Sequence, residues 1–319
     1  KDGRFELCLE SYRRACINGG IKASKLCSTS RVRCLRPTTW SANQKLNAVE
    51  SLDVETFITT VASVLNKIGV QGLYHGNVDT DDAAVAQKEI LALIQARGGG
   101  GLPKKKYPHQ CVMRMPESNH RLLLPAKDPT DPNTAVEVYF QVARDNHPDR
   151  VMVDLLMDMI YEPLYDQIRT KDQFGYSVSC DSRWTDGVIG MQIQVVTSSK
   201  TAQEADDRIE QFLSEFRRTL VDMTQETFVK HLVGLAKQKL DMFHSLSDET
   251  GHFWSEIRDG RYMWQVERDE VICLKSITKE QALKAYDEWL WPESKKRRRM
   301  AVHVICCEGD ACAGRPEVD

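Results

Sequence analysis

Apolar residues recur at spacings of three and four along much of the chain, which is the pattern of helices with one buried face. The clearest stripe runs through residues 43–67 and fits one helix or a pair of helices. The stripe that starts near His147 is apolar nearly all round in its first half, so we expect that helix to be buried between two layers. Helices are predicted over residues 43–67, 81–95, 147–168, 201–221, 224–242, 248–258 and 279–290.

Shorter segments alternate between apolar and polar residues, as half-buried strands do. Asp186 and Gly187 lie between two such segments, and this dipeptide favours a two-residue hairpin turn. Strands are predicted over residues 70–78, 110–115, 121–124, 135–142, 174–180, 188–197 and 300–306. The order of the elements predicts an α+β fold, a two-layer sandwich with helices on one face of a largely antiparallel sheet.

A run of glycine and lysine residues marks the clearest segment boundary in the chain. Four consecutive glycines at residues 98–101 have no side chains to pack, and a proline and three lysines follow them. We place a Gly/Lys linker at residues 98–106, and we interpret the lysines as a solvated part of it. Residues 8–34 show no sustained period. The predicted organisation is therefore four segments: residues 1–39, 40–97, 98–106 and 107–319.

Composition and charge exclude several classes of protein. Of the 319 residues, 41% are hydrophobic and 28% are charged, which is ordinary for a globular chain, and the net charge of −3 gives no overall basic field to attract nucleic acid or a membrane. No run of about 18 apolar residues predicts a transmembrane helix. Ten cysteines are too few for a disulfide scaffold, so we expect reduced thiols and a cytoplasmic location.

The first ten residues lack the pattern of a secretory signal, and the chain begins with lysine rather than methionine. We therefore expect the sequence to be a piece of a longer protein, or a processed product. Its organelle targeting would then depend on sequence outside it.

The sequence carries none of the local motifs that mark a catalytic site, and a Ser-His-Asp triad assembled from distant residues stays open. None of the eight histidines forms HExxH or HxxEH, and there is no GxSxG elbow, no Cys-His signature and no phosphate-binding glycine loop. His252 and Glu256 are four residues apart on a predicted helix, but no second histidine joins them. The basic run at residues 295–299 could contact a polyanion, and we favour a solvated turn instead.

One segment, EPLYDQIRTKDQFGYSV at residues 162–178, is more specific. It closes a predicted buried helix, turns at polar residues and enters a strand. Arg169 at the helix end and Tyr176 early on the strand can project at the same edge, where a guanidinium and a phenol would suit a peptide carbonyl. The residues alone favour the simpler alternative, in which Arg169 caps the helix and Tyr176 is a half-buried core residue.

The same segment resembles the signature of the insulin-degrading enzyme (insulysin) and pitrilysin family of inverted zinc metallopeptidases. Residues 40–77, which end in LYHGN, resemble the end of the third of four homologous domains in that family. The stretches MTQETFVKHLVGLAKQKLD, HFWSEI and SITKEQALKAY, followed by AVHVI, resemble the fourth domain. The resemblance covers residues 40–306 and leaves residues 1–39 unmatched.

This resemblance implies a chamber built from two halves, with zinc bound by HxxEH in the first domain. The matching half is absent here, so the resemblance implies zinc for that half and none for this chain. By position, Arg169 and Tyr176 would hold the peptide and stabilise the developing oxyanion. Tyr165, one helical turn before Arg169, would line the pocket after the scissile bond.

The repeat allows a check on catalysis within this chain. A rough alignment places Asp154-Leu-Leu-Met-Asp158 opposite the zinc motif of the first domain. Met157 cannot act as a base, and two aspartates without the glutamate are a poor zinc site. This domain is therefore expected to be a non-catalytic copy.

The sequence thus predicts the C-terminal half of an insulysin-like zinc metalloendopeptidase, inactive alone. It would bind peptide substrates and close the chamber for an N-terminal catalytic half, on the same polypeptide or on a separate subunit. Two alternatives stay open: a peptide-binding adaptor that never meets a catalytic half, and a structural core subunit of the same superfold. Neither nucleic acid nor a membrane is an expected partner, and a homodimer is a further possibility.

Overall fold

The structure is a computed structural model that describes residues 3–96, 100–103, 107 and 110–307. The described residues divide into two compact units. The first unit combines Lys1–Cys16, Ala42–Gln110 and Met242–Trp264, and the second combines Ile17–Ser41, Cys111–Asp241 and Gln265–Asp319. The predicted linker lies largely outside the described residues, as do residues 308–319.

Helices are the most numerous elements of both units. The helices of the first unit are α1 (Arg4–Asn18, whose last two residues lie in the second unit), α3 (Ala42–Glu50), α4 (Val54–Leu65), α5 (Thr80–Ala96) and α9 (Leu246–Arg258). Those of the second unit are α2 (Ala23–Leu35), α6 (His147–Leu164), α7 (Ala202–Asp222), α8 (Gln225–Lys239), α10 (Val266–Leu274) and α11 (Lys279–Trp289). Within the described residues, no helix is long and apolar enough to cross a bilayer.

The second unit is built on a five-stranded sheet. Its strands are β3 (Asn119–Pro125), β4 (Thr134–Arg144), β5 (Ser177–Thr185), β6 (Val188–Thr197) and β7 (Arg299–Ile305), in the spatial order β3-β7-β4-β6-β5. Only β3 and β7 run parallel, so the predicted α+β class with a largely antiparallel sheet is confirmed. In the first unit, β1 (Lys67–Ile68) pairs with β2 (Gly100–Gly101).

Most helices of the second unit pack on one face of this sheet. Alternate residues of a strand point to opposite faces. On β4, Val136, Val138 and Phe140 are buried in the larger hydrophobic cluster, together with side chains from α6, α7, α8, α10 and α11. This is the helical layer that the sequence predicts, with α6 as its most deeply buried helix.

The opposite face carries one more helix, which the sequence pattern does not reveal. Ala23, Cys27 and Leu35 of α2 pack against residues of β4 that include Ala135 and Tyr139. The buried side of α2 is made largely of small, sulfur-containing and polar residues, so no apolar period marks it. The stretch at residues 8–34, where the sequence shows no pattern, is therefore helical in α1 and α2 and interrupted at residues 19–22.

The interpretation of residues 295–299 as a solvated turn is wrong for the three arginines, whereas Lys295 and Lys296 are exposed and lie in a turn. Arg297 is only 3% exposed, and its Nη2 lies 2.6 Å from Glu210 Oε2 of α7. Arg299 is also buried and pairs with Glu210 and Asp206. Arg298, which is mostly covered, pairs with Glu117. Because these charges are internally neutralised, the run does not offer a polyanion-binding patch.

Two predicted strands are not present as strands. Residues 70–78 and 110–115 form irregular chain, apart from the turn at residues 76–77. In residues 70–78, Gly76 has φ of 130°, and His75 Nδ1 lies 2.7 Å from the Thr250 hydroxyl of α9. This segment is therefore held by side-chain contacts rather than by a neighbouring strand. The prediction also missed α10, a nine-residue helix with four charged residues.

Candidate functional site

The segment at residues 162–178 forms a structured turn between α6 and β5. After Leu164 the helix widens into a π-helical segment, Tyr165–Lys171, in which the Asp172 N–H donates to the Gln167 carbonyl over 2.9 Å. Such wide turns are rare and occur frequently at functional sites. Ile168, 1% exposed, anchors the turn in the core.

Ion pairing fixes the end of this turn. Asp172 accepts from Arg208 Nε of α7 at 2.6 Å and from Gln167 Nε2 at 2.8 Å. Gln173 then has φ of 52°, a left-handed conformation that non-glycine residues seldom adopt. The backbone reverses there and leads through Gly175 into β5. Arg169 and Tyr176 are thus carried on a turn that the core holds from two sides.

Arg169 and Tyr176 line the same cleft, which has a volume of about 400 Å³ and which we call the Arg169 cleft. Its other lining residues are Thr170, Gln173, Gly175, Thr197, Ser198 and Ser199. The Tyr176 side chain is 59% exposed, so it is not a core residue. The sequence-based expectation that both groups face one concave surface agrees with this geometry, although their roles in binding stay a prediction.

Arg169 also makes the local contacts of a capping residue. Its Nη1 donates to the carbonyl of Gly175 over 3.3 Å and to the carbonyl of Tyr176. Its guanidinium carbon lies 5.7 Å from the centre of the Tyr165 ring, within range of a cation–π interaction. Tyr165 therefore supports Arg169, and it is not among the residues that line the cleft. The two alternatives for Arg169, a capping residue and a peptide-binding residue, are compatible, because both of these hydrogen bonds come from one of its two terminal nitrogens.

The cleft includes residues that the motif did not indicate. Thr197, Ser198 and Ser199 come from the end of β6, more than twenty residues after Arg169. The hairpin pairs Thr185 with Val188 and, at its far end, Ser177 with Val196. Counting back from the Asp186-Gly187 turn therefore places Thr197 beside Tyr176. That signal was present in the sequence.

Gly175 is required for the close approach of the turn to β6. A Cβ atom at this position would lie 2.2 Å from the carbonyl oxygen of Val196, closer than any real contact. We expect Gly175→Ala to lower the free energy of unfolding by about 1–3 kcal/mol, as overpacking does. Urea unfolding would measure this change. Gly251→Ala, on α9 with open space around it, is the control and should not destabilise the protein; equal effects of both changes would contradict the packing argument.

The segment opposite the zinc motif of the family does not form a metal site. Asp154 accepts from Lys239 Nζ at 2.6 Å, and Asp158 lies 2.7 Å from His231 Nδ1. Met157 is 6% exposed. Among the described residues, no group of three or more histidine, cysteine or acidic side chains could hold a metal ion. The ammonium group of Lys239 already pairs with Asp154, so these residues do not fit zinc.

Comparison with known proteins gives matches over nearly the whole chain. A family model described as "PQQ synthase PqqF-like, C-terminal lobe domain 4" matches residues 155–254. Human insulin-degrading enzyme is 27% identical over 312 residues, which are 97% of this chain and 30% of that protein. A nardilysin-like protein of Arabidopsis thaliana is 26% identical over 96% of this chain and 30% of its own length. The chain thus spans about a third of these relatives.

Solved structures show the same fold. The crystal structure of pitrilysin superposes with a TM-score of 0.81 at 13% identity, over 99% of this chain and 33% of pitrilysin. A peptidase M16 inactive domain from Pseudomonas fluorescens superposes with a TM-score of 0.61 at 15% identity, over 98% of this chain and 72% of that domain. The sequence matches make the chain a homologue of insulin-degrading enzyme and nardilysin, similar to part of the C-terminal half of these proteins, and the solved structures show that it shares the pitrilysin fold.

Proposed function

We propose that this chain binds peptide in the Arg169 cleft and closes the peptide chamber of a zinc metalloendopeptidase whose N-terminal half carries the metal. The observation that carries the proposal is the convergence of Arg169 and Tyr176 on one cleft of about 400 Å³. In the family that the sequence resembles, this arginine and tyrosine contact the substrate near the scissile bond. Hydrolysis belongs to the pair of halves.

The chemistry of the cleft suits a peptide backbone. Arg169 carries a planar guanidinium, and its second terminal nitrogen can donate to a peptide carbonyl. The exposed Tyr176 hydroxyl offers another donor on the same wall. Tyr165 and the two backbone carbonyls restrict the guanidinium, so little side-chain freedom is lost on binding. These two donors would also stabilise negative charge that develops on a carbonyl oxygen.

Arg169→Met, which removes the guanidinium, should weaken peptide binding by about 10–100-fold, since a hydrogen bond to a charged group contributes about 1.5–3 kcal/mol. The measurement is fluorescence anisotropy with labelled insulin B chain, a probe chosen because a relative is named insulin-degrading enzyme. Tyr176→Phe should cost less, about 2–10-fold. Arg218→Met, which removes a side chain that is 89% exposed on α7, is the control. Unchanged binding by Arg169→Met would refute the proposed site.

The isolated chain should not cleave peptides. Because the zinc ligands and the catalytic glutamate belong to the N-terminal half in the family, a chelator-sensitive cleavage should appear only when that half is added. The test is to mix the chain with the region of human insulin-degrading enzyme that precedes the matched stretch and to follow cleavage of insulin B chain. Chelator-sensitive cleavage by this chain alone would contradict the proposal.

An alternative is a non-catalytic peptide-binding or structural core subunit. The donor set at Asp154, Met157 and Asp158, which does not fit zinc, and the fold shared with an inactive peptidase domain favour this alternative. A co-purifying subunit with HxxEH, or a reading frame upstream of Lys1 that encodes it, would decide for the enzyme. The cytoplasmic location and a homodimer stay predictions; cell fractionation and sedimentation would test them.

A further inference from the structure

The strand β5 lies at the edge of the five-stranded sheet. It pairs with β6 along nine residues and ends the spatial order β3-β7-β4-β6-β5. Edge strands present unpaired backbone groups, and proteins usually blunt them with proline, bulges or a short length. β5 has no proline and no register shift, and all of its nine residues pair with β6. Its two charged residues, Asp181 and Arg183, pair with one another at 3.2 Å.

A cavity of about 960 Å³ runs along this edge, and we call it the edge cavity. Five consecutive residues of β5, Cys180 to Trp184, line it. Since successive side chains point to opposite faces of a sheet, a cavity lined by all five follows the rim of the strand rather than one face. The opposite walls come from α6, α7 and α8. No residue lines both the edge cavity and the Arg169 cleft.

The hairpin shows which backbone groups face outward. The turn has two residues, Asp186 and Gly187, both with positive φ, and it closes on the pair Thr185 and Val188. In such a hairpin the closing pair is hydrogen-bonded, and bonded and non-bonded pairs then alternate. Ser182 therefore points its N–H away from β6, as Cys180 and Trp184 do. Among the described residues, the structure shows no turn or side-chain acceptor for these three N–H groups.

The helical wall of the edge cavity carries charges of both signs, and its two lysines are already paired, Lys239 with Asp154 and Lys230 with Glu226. Asp158 and Glu162 lie one turn apart on α6, and both line the cavity. Asp158 is hydrogen-bonded to His231, whereas Glu162 has no charged partner among the described residues. The rings of Tyr161 and Trp184, both largely exposed, add apolar surface for side-chain stems. A thiolate is not available, because burial raises the pKa of Cys180 to about 12.

We propose that the edge cavity binds an extended, basic peptide segment, which adds to β5 as a sixth strand. Strand addition satisfies the outward N–H and carbonyl groups of β5, and alternate side chains of the added strand enter pockets on the two sides. A lysine or arginine on the α6 side would pair with Glu162 and Asp158. This site is separate from the one proposed for the Arg169 cleft and does not depend on it.

The first test uses the full 319-residue chain and a fluorescein-labelled nonapeptide of alternating lysine and threonine. We expect saturable binding by anisotropy, and at least tenfold weaker binding of the matching glutamate–threonine peptide. Two N-methylated versions of the basic peptide probe the backbone. One is methylated at the backbone nitrogen of every lysine, and the other at the backbone nitrogen of every threonine. An added strand turns one set of N–H groups toward β5, so one version should lose binding at least tenfold more than the other. Equal binding of all three basic peptides would overturn the proposal.

Variants of the chain give the second test. Ser182→Pro removes an outward N–H without removing a hydrogen bond to β6, so it should weaken binding at least tenfold. Glu162→Gln should weaken it by about 2–5-fold, as expected for an exposed ion pair. Asp222→Asn, outside the edge cavity, is the control. If Ser182→Pro does not fold, the comparison of the methylated versions decides.

Two further outcomes separate this proposal from its rivals. Arg169→Met should leave binding of the lysine–threonine peptide unchanged; a loss equal to that of Ser182→Pro would place the peptide in the Arg169 cleft and overturn the proposal. A second copy of the chain could also occupy the edge. Concentration-dependent dimers in sedimentation velocity that disappear in Ser182→Pro, without binding of the peptide, would show edge-to-edge pairing instead.

Discussion

Replacing Glu137 with leucine should lower the free energy of unfolding by about 3–5 kcal/mol, because it leaves the buried Arg31 without its carboxylate. Glu137 on β4 is completely buried, and its Oε1 accepts from Arg31 Nε of α2 at 2.7 Å. Its Oε2 accepts from Ser28 at 2.5 Å and from Gln194 at 3.0 Å. One carboxylate thus joins α2 to the sheet. Its loss leaves the charge of Arg31 and the polar groups of Ser28 and Gln194 without this acceptor.

The double variant Arg31→Met with Glu137→Leu separates burial from charge. Replacing a whole buried ion pair with apolar residues is often neutral or stabilising, so we expect most of the lost stability to return. Arg14→Met, which removes one member of an exposed pair on α1, should change stability by less than about 0.5 kcal/mol. Urea unfolding gives the midpoints and slopes. A loss below 1 kcal/mol in the single variant would show that Arg31 finds water or another partner.

Hydrogen exchange would locate the effect of the same change. If Glu137 fixes α2, the amides of α2 should exchange faster in the variant while those of α6 and α7 change less. The guanidinium of Arg31 also lies 4.8 Å from the ring centre of Tyr139, whose pKa burial raises to about 12. The face of the sheet covered by α2 therefore depends on a polar cluster, in contrast to the apolar helical layer on the other face.

Local signals in the sequence were sufficient for the elements that carry the Arg169 cleft. The Asp186-Gly187 dipeptide predicts the hairpin because aspartate and glycine tolerate the positive φ that a two-residue turn requires. Both residues have positive φ in the structure. Thr201 and Glu204, whose spacing is that of a capping box, form one at the start of α7. The helix and strand on either side of the RTKDQFGY segment predict that Arg169 and Tyr176 can reach the same edge, whereas the exposure of Tyr176 differs from the half-buried core position that the residues alone favour.

Long-range partners explain what the sequence could not show. The arginines at positions 297–299 have the composition of a solvated run, and only the fold brings the acids of α7 to them. In the same way, α2 has no apolar stripe because it contacts the sheet partly through Arg31. A pattern based on hydrophobicity misses elements that are held by buried charge. In the Arg169 cleft, the left-handed conformation of Gln173 and the π-helical turn likewise have no sequence signal.

Asp206 should give the second large effect, and its effect should depend on pH. It lies buried on α7, accepts from His303 Nε2 of β7 at 3.0 Å and pairs with Arg299. Burial alone would raise the pKa of this carboxyl, but the hydrogen bond from His303 and the charge of Arg299 outweigh it, and the pKa lies below its ordinary value. The folded state therefore binds the proton of Asp206 less readily than the unfolded chain does.

The sign of the pH dependence follows from this difference. The stabilising contribution of Asp206 is fully present above the unfolded pKa of about 3.9 and is lost as the pH falls through the lower folded-state pKa. The free energy of unfolding should therefore decline as the pH is lowered below about 4. Asp206→Asn should remove part of that decline and lower stability at pH 7 by about 3 kcal/mol, since Arg299 loses one of its two acidic partners.

The measurement is urea unfolding of both proteins between pH 7 and pH 2. Asp222→Asn, at an exposed ion pair on the same helix, should follow the wild-type curve and serves as the control. Parallel curves for the wild type and Asp206→Asn would show that Asp206 titrates alike in the folded and unfolded states. A shallower acid limb in the variant would instead establish that the ionised carboxylate of Asp206 stabilises the contact between α7 and β7.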